Sequence, residues 1–135
     1  MCVAFVMALA ICVHATVTNV VWYRLGENDP GAANGVAVTN TTADLTGFES
    51  LKQYGNPIYS NAISSEAASH VGSSLAVQLN GTSQYLSNAV VSTAVDNFGI
   101  EAWVKPDTTV GGAVHTIAHN GNASASGWGI YQKRC

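Results

Sequence analysis

The sequence predicts an all-β chain of short antiparallel strands, arranged as a sandwich or barrel. Three observations carry this expectation. The chain is rich in Gly, Ala, Ser, Thr, Asn and Val, a mixture that suits pleated strands and tight turns. Apolar and polar residues alternate with period two in short runs, most clearly at residues 74–79 and 98–105. No stretch sustains a capped helical period, and only Ser65-Glu-Ala-Ala-Ser-His70 reads as a helical turn. The 135 residues fit one domain.

The chain opens on a segment of a different kind. Residues 2–13 are an unbroken apolar run, too short to cross a bilayer as a helix and of the length of a signal-peptide core. Val13-His14-Ala15 then offers small residues where a signal peptidase reads, so cleavage is expected after Ala15. This divides the chain into a signal peptide, residues 1–15, and an exported domain, residues 16–135, destined for secretion or the cell surface with no membrane span. No Lys or Arg precedes the apolar run, a departure from the usual signal. Two other readings are a lipid-anchored Cys12, against which the bulky Ile11 stands, and a buried first element of the domain.

Strand signals follow in order. Residues 20–25 (Val-Val-Trp-Tyr-Arg-Leu) are β-branched and aromatic and end at Gly26. A long polar stretch, residues 27–56, reads as loop with a short strand at residues 36–38. Residues 74–79 and 84–86 flank Asn80-Gly81, the strongest short-range hairpin signal. Residues 98–105 (Phe-Gly-Ile-Glu-Ala-Trp-Val-Lys) form the clearest strand and are closed by Pro106. Residues 114–118 and 128–131 complete the set.

Charge and cysteine use narrow the partners. Charged residues make up 10% of the chain, against roughly 25% in an ordinary soluble domain. The basic residues are Arg24, Lys52, Lys105, Lys133 and Arg134, and the net charge is −3, which excludes a phosphate-neutralising nucleic-acid surface. Cysteines fall at 2, 12 and 135, so the mature chain keeps Cys135 alone and has no internal disulfide framework. Asn40, Asn80 and Asn122 begin glycosylation-type triplets, which also arise by chance in so Asn- and Thr-rich a chain.

The succession Trp22-Tyr-Arg-Leu-Gly-Glu27, Asp44-Leu-Thr-Gly47, Leu75-Ala-Val-Gln-Leu-Asn-Gly-Thr-Ser-Gln-Tyr-Leu86 and Phe98-Gly-Ile-Glu-Ala-Trp-Val-Lys-Pro106 resembles the laminin-G-like jelly roll of the concanavalin A-like lectin/glucanase superfamily. The resemblance spans residues 20–132. It implies an antiparallel β-sandwich used outside the cell to bind sugars, proteins or surfaces. Family members continue for several strands beyond the Gly-Trp-Gly-x-Tyr segment. By analogy, the jelly roll here is incomplete, truncated at its C-terminal side, and residues 16–135 alone are not expected to fold as a stable monomer.

Candidate site residues are few. On strand 98–105, Phe98, Ile100, Ala102 and Val104 share one face, expected between the sheets, while Glu101, Trp103 and Lys105 share the other. Trp103 is the candidate ligand-binding residue, because a flat indole beside polar groups stacks on a sugar ring. The bland alternative is that it packs under a neighbouring loop. Glu27, Asp29 and Asp44 are the candidate metal residues. They lie at loop starts rich in Asn and Thr oxygens, and calcium is the one cofactor the resemblance admits, with none required. Against it, no Asp-x-Asp-x-Asp-Gly loop is present, and Asp44-x-x-Gly47 also reads as a turn closed by its own carboxylate. His115 and His119 are four apart, but four residues of strand span roughly 13 Å, too far to share a metal. His70 reads as a surface or turn residue.

No catalytic residues emerge. Glycosidases of this architecture place paired carboxylates close together on one strand, whereas Glu101 stands alone; nucleophile-elbow and phosphate-loop motifs are absent from the sequence. The expectation is therefore a non-catalytic extracellular module that binds carbohydrate or protein, within a larger secreted or surface protein. Two alternatives are a structural or adhesive spacer and the front half of a glycoside hydrolase of the same fold.

Overall fold

The computed structural model describes residues 19–47, 49–89, 98–106, 112, 114–122 and 126–133. The apolar N-terminal run, its cleavage position and Cys135 lie outside the described residues.

Antiparallel pairing accounts for every described strand, and the order is β1 (Thr41–Thr42), β2 (Leu51–Tyr54), β3 (Ile58–Ser60), α1 (Ser65–Val71), β4 (Ala76–Gln78), β5 (Tyr85–Ser87), β6 (Val114–Asn122) and β7 (Ser126–Lys133). They form three small sheets: β1-β2-β5, β3-β4 and the hairpin β6-β7. The described residues are thus strands in small antiparallel sheets with one short helix, consistent with the all-β class that composition and alternation predict.

Helix α1 forms where its capping residues allow it. The Ser64 side chain accepts from the Ala67 N–H at 3.0 Å, satisfying a donor that the first turn leaves unpaired. At the other end Gly72 takes the left-handed conformation (φ 63°), and the Ser73 N–H returns to the Ala67 carbonyl at 3.2 Å. Ala67 is the buried residue of this helix.

The centre of the described structure is half polar. Tyr59, on β3, is fully buried together with Thr42 and Pro57, and Val38 and Ala67 are the other buried apolar residues. Residues 35–38 line the free edge of β3, with hydrogen bonds from Gly35 N to Tyr59 O (2.8 Å), Tyr59 N to Val36 O (2.9 Å) and Val38 N to Pro57 O (2.8 Å). Asp29 and Asp44 are buried beside them. Gly26 lets the chain pass close to the strand after α1: a Cβ there would lie 2.6 Å from the Leu75 Cβ.

Several expectations need correction. Residues 20–25 do not form a strand. Tyr23 makes a single bridge to Asp44, and Leu25 turns the chain at φ 55°. The stretch 27–56 is more than loop, since it holds β1 and β2, and Ala37 bridges Ile58. Neither β1 nor β3 stands out in the sequence, because two or three residues are too few to show a period.

The Asn80-Gly81 hairpin is not formed either. Strands β4 and β5 flank it but join different sheets, β4 pairing with β3 and β5 with β2. The reason is local. Asn80 Oδ1 accepts from the backbone N–H groups of Thr82, Ser83 and Gln84 at 3.0–3.1 Å, building a wide turn instead of a two-residue one.

The largest departure is at residues 98–106. This segment carries the clearest alternation, yet it joins no ladder among the described residues, and all nine of its residues are exposed. Phe98, Ile100 and Val104, expected between two sheets, are 42%, 41% and 46% exposed. By contrast, residues 114–118 and 128–131 do form strands, extended into the β6-β7 hairpin. Its register shifts between Thr116 and Ala118, where one extra residue bulges the strand.

Candidate functional site

The acidic residues singled out by the sequence act on the chain itself. Asp44 Oδ1 accepts from the backbone N–H groups of Trp22 (2.8 Å) and Thr46 (3.0 Å); its Oδ2 accepts from the Glu49 N–H (3.1 Å) and the Thr46 hydroxyl. Burial opposes the charge on Asp44, but the Thr46 hydroxyl and these N–H groups outweigh it and hold the carboxyl far below the usual carboxylate range.

Asp29 Oδ1 accepts from the Ala43 N–H at 2.6 Å, and its Oδ2 from the Tyr59 hydroxyl at 2.8 Å. Burial first, and the bond to Asp29 second, push the Tyr59 hydroxyl above the ordinary phenol range, so it remains a donor. Glu27 Oε1 accepts from the N–H groups of Ser74 (2.5 Å) and Leu75 (3.0 Å), while its other oxygen lies 3.5 Å from Arg24 Nε. Partial burial works against its charge, and these donors more than offset it, lowering its pKa.

The three carboxylates are therefore met by N–H and O–H donors, each by a different set. A calcium ion needs the opposite, six to eight converging oxygens. Among the described residues, no group of three or more His, Cys, Asp or Glu side chains is placed to hold a metal ion. His115 and His119 lie on β6 as a strand, with His119 tilted against Tyr131 at 6.2 Å between ring centres.

Trp103 belongs to an exposed aromatic surface. The residue is 46% exposed, and its indole lies parallel to the His70 imidazole, with ring centres 6.0 Å apart and planes 7° apart. Helix α1 sets the position of His70, whose Nε2 lies 3.3 Å from Glu66 Oε2 one turn earlier. Lys105, two residues on, reaches the same side and donates to the Ile63 carbonyl at 3.4 Å. The Phe98 ring lies 4.6 Å from that of Trp128 on β7. Phe98 and Trp103 thus meet different elements, β7 and α1, while the segment forms no ladder among the described residues.

A second aromatic surface is not visible in the sequence. Tyr54 and Tyr85 are register partners on β2 and β5, and their rings stack at 4.6 Å and 11°. Both are exposed, and Lys52 Nζ lies 5.4 Å from the Tyr54 ring centre. Tyr54 sits in a stretch that reads as polar loop, and pairing at a distance of 31 residues leaves no local signal.

Comparison with known proteins gives no match: no family model fits the chain, and no curated protein or solved structure matches it. Among the described residues, no helix is long and apolar enough to cross a membrane.

Proposed function

We propose that this chain is a non-catalytic binding module of a larger secreted or cell-surface protein, and that it takes carbohydrate or protein ligands on its exposed aromatic surface. The observation that carries the reading is Trp103. The residue stands 46% exposed on a nine-residue exposed segment, its indole oriented by the parallel His70 ring, with polar groups beside it. A flat ring held this way offers a face to the C–H side of a sugar or to an aromatic side chain.

The three small sheets belong, in this reading, to a concanavalin A-like β-sandwich. Strand order supports it: the chain passes from the β1-β2 sheet to β3-β4 and then back, through β5, to the first. Layered antiparallel folds are built by such crossings.

The test is a glycan array probed with the purified protein and with Trp103→Ala, each with and without chelator. Binding that falls at least tenfold in the variant and persists in chelator is the expected result. Silence across the array from the unaltered protein, together with no protein ligand by pull-down, would leave the spacer reading in its place. Loss of binding in chelator alone would return calcium to the mechanism.

A further inference from the structure

Among the described residues, residues 98–106 are held by side chains alone. Phe98 rests on Trp128, Trp103 on His70, and Lys105 on the Ile63 carbonyl, whereas none of the segment's backbone N–H or C=O groups bonds to another described residue. Trp103 and Lys105 meet α1 and the loop before it, and Phe98 meets β7; odd and even positions of an extended backbone face opposite ways. The faces are tethered and the edges are open. An extended segment of this length with unpaired edges is a template for another strand.

We infer that this edge pairs with the same segment of a second copy of the chain, antiparallel and centred on Trp103. Charge complementarity selects the partner. Two-fold pairing about residue 103 sets Glu101 opposite Lys105 of the second copy, and Lys105 opposite its Glu101. A parallel, in-register pairing would instead set Glu101 against Glu101 and Lys105 against Lys105.

Proline fixes the phase of the ladder. In an antiparallel pair, residues alternate between positions that exchange both N–H···O bonds and positions that exchange none. Pro106, which has no N–H, falls opposite Ile100. The pairing is satisfied when residues 101, 103 and 105 are the bonded positions, because 100, 102, 104 and 106 then point their amides away. Each copy contributes Glu101, Trp103 and Lys105 to one face, so the two indoles meet at the two-fold axis. Lys105 leaves only a long, exposed bond to Ile63 when it turns to the second copy.

Sedimentation equilibrium of the purified full chain and of Glu101→Lys and Lys105→Glu tests this pairing. The unaltered chain is expected to form a concentration-dependent dimer. Each reversal replaces two attractive pairs by two repulsive ones and is expected to weaken the dimer by on the order of tenfold. An equimolar mixture of the two variants restores complementary pairs and is expected to recover the original dimer strength. The mixture also guards against misfolding, since two damaged chains do not repair each other. A chain monomeric up to its solubility limit would overturn the inference. So would a dimer indifferent to either reversal, or a mixture that fails to recover.

Discussion

Residues 20–60 and residues 98–106 invert what their sequences promise. Beyond its apolar opening at residues 20–25, the first block is polar, irregular and thin in periodic signal, yet buried carboxylates tie it together. Asp44 gathers Trp22, Thr46 and Glu49, and Asp29 joins Ala43 to Tyr59. The second has the best strand pattern in the chain and no backbone partner among the described residues. The difference teaches that alternation only permits a strand. A strand forms when a neighbouring edge satisfies its amides, whereas a carboxylate can order a loop by itself.

Removing the ties should break the first block. Asp44→Ala strands several N–H groups at a part-buried site and is expected to cost roughly 2–4 kcal/mol, read from urea titration followed by circular dichroism. Tyr59→Phe leaves Asp29 Oδ2 without its hydroxyl donor and should cost about 1–3 kcal/mol in the same assay.

The pH dependence sharpens the same contrast. The carboxyl of Asp44 is depressed in the folded chain, so its contribution is complete above the ordinary aspartate pKa of about 3.9 and is lost as pH falls toward its own lower value. Acid titration of the stability should therefore flatten in Asp44→Asn. At the alkaline end, burial, followed by the charges of Asp44 and Glu49, pushes the Tyr23 phenol up to about 12. Its contribution is present below the ordinary phenol pKa of about 10 and is lost as pH rises toward 12. Tyr23→Phe should remove that alkaline step.

The smallest effects come from sites where removing a group costs little. Thr42 is fully buried, and its hydroxyl has no hydrogen-bond partner among the described residues. Thr42→Val should raise stability by about 1 kcal/mol, which an unchanged or lower denaturation midpoint would contradict. Val104→Ala, on the exposed segment, should shift stability by less than about 0.5 kcal/mol in the dilute chain, although the same truncation in a packed sheet would cost more.

What the sequence revealed, and what it hid, follows from the range of each signal. The small-residue run from Ser65 to His70 acts within one or two turns, and α1 lies where it places it, while the caps Ser64 and Gly72 emerge only in the structure. The strands of β6 and β7 are legible as short apolar runs at residues 114–118 and 128–131; their pairing, eight register pairs within 20 residues of chain, is the structure's addition. The partners of β4 and β5 are not legible, because Asn80 reads alike in a two-residue hairpin and in the wide turn it makes. Of the candidate site residues, Trp103 was found from its place in an alternating run, and the structure shows the residue exposed. Glu27, Asp29 and Asp44 were found as acids at loop starts, but their donors come from up to 48 residues away, so their structural bonds were out of reach. The Tyr54–Tyr85 stack depends on the same kind of distant pairing.

Amide hydrogen exchange on the dilute chain tests the contrast between the two regions most directly. The account predicts slow exchange at the amides of Trp22, Ala43, Thr46 and Tyr59, and exchange at residues 99–105 close to that of an unstructured peptide. Protection of 99–105 equal to that of β2 under dilute conditions, or fast exchange at the amides bound by Asp29 and Asp44, would contradict it.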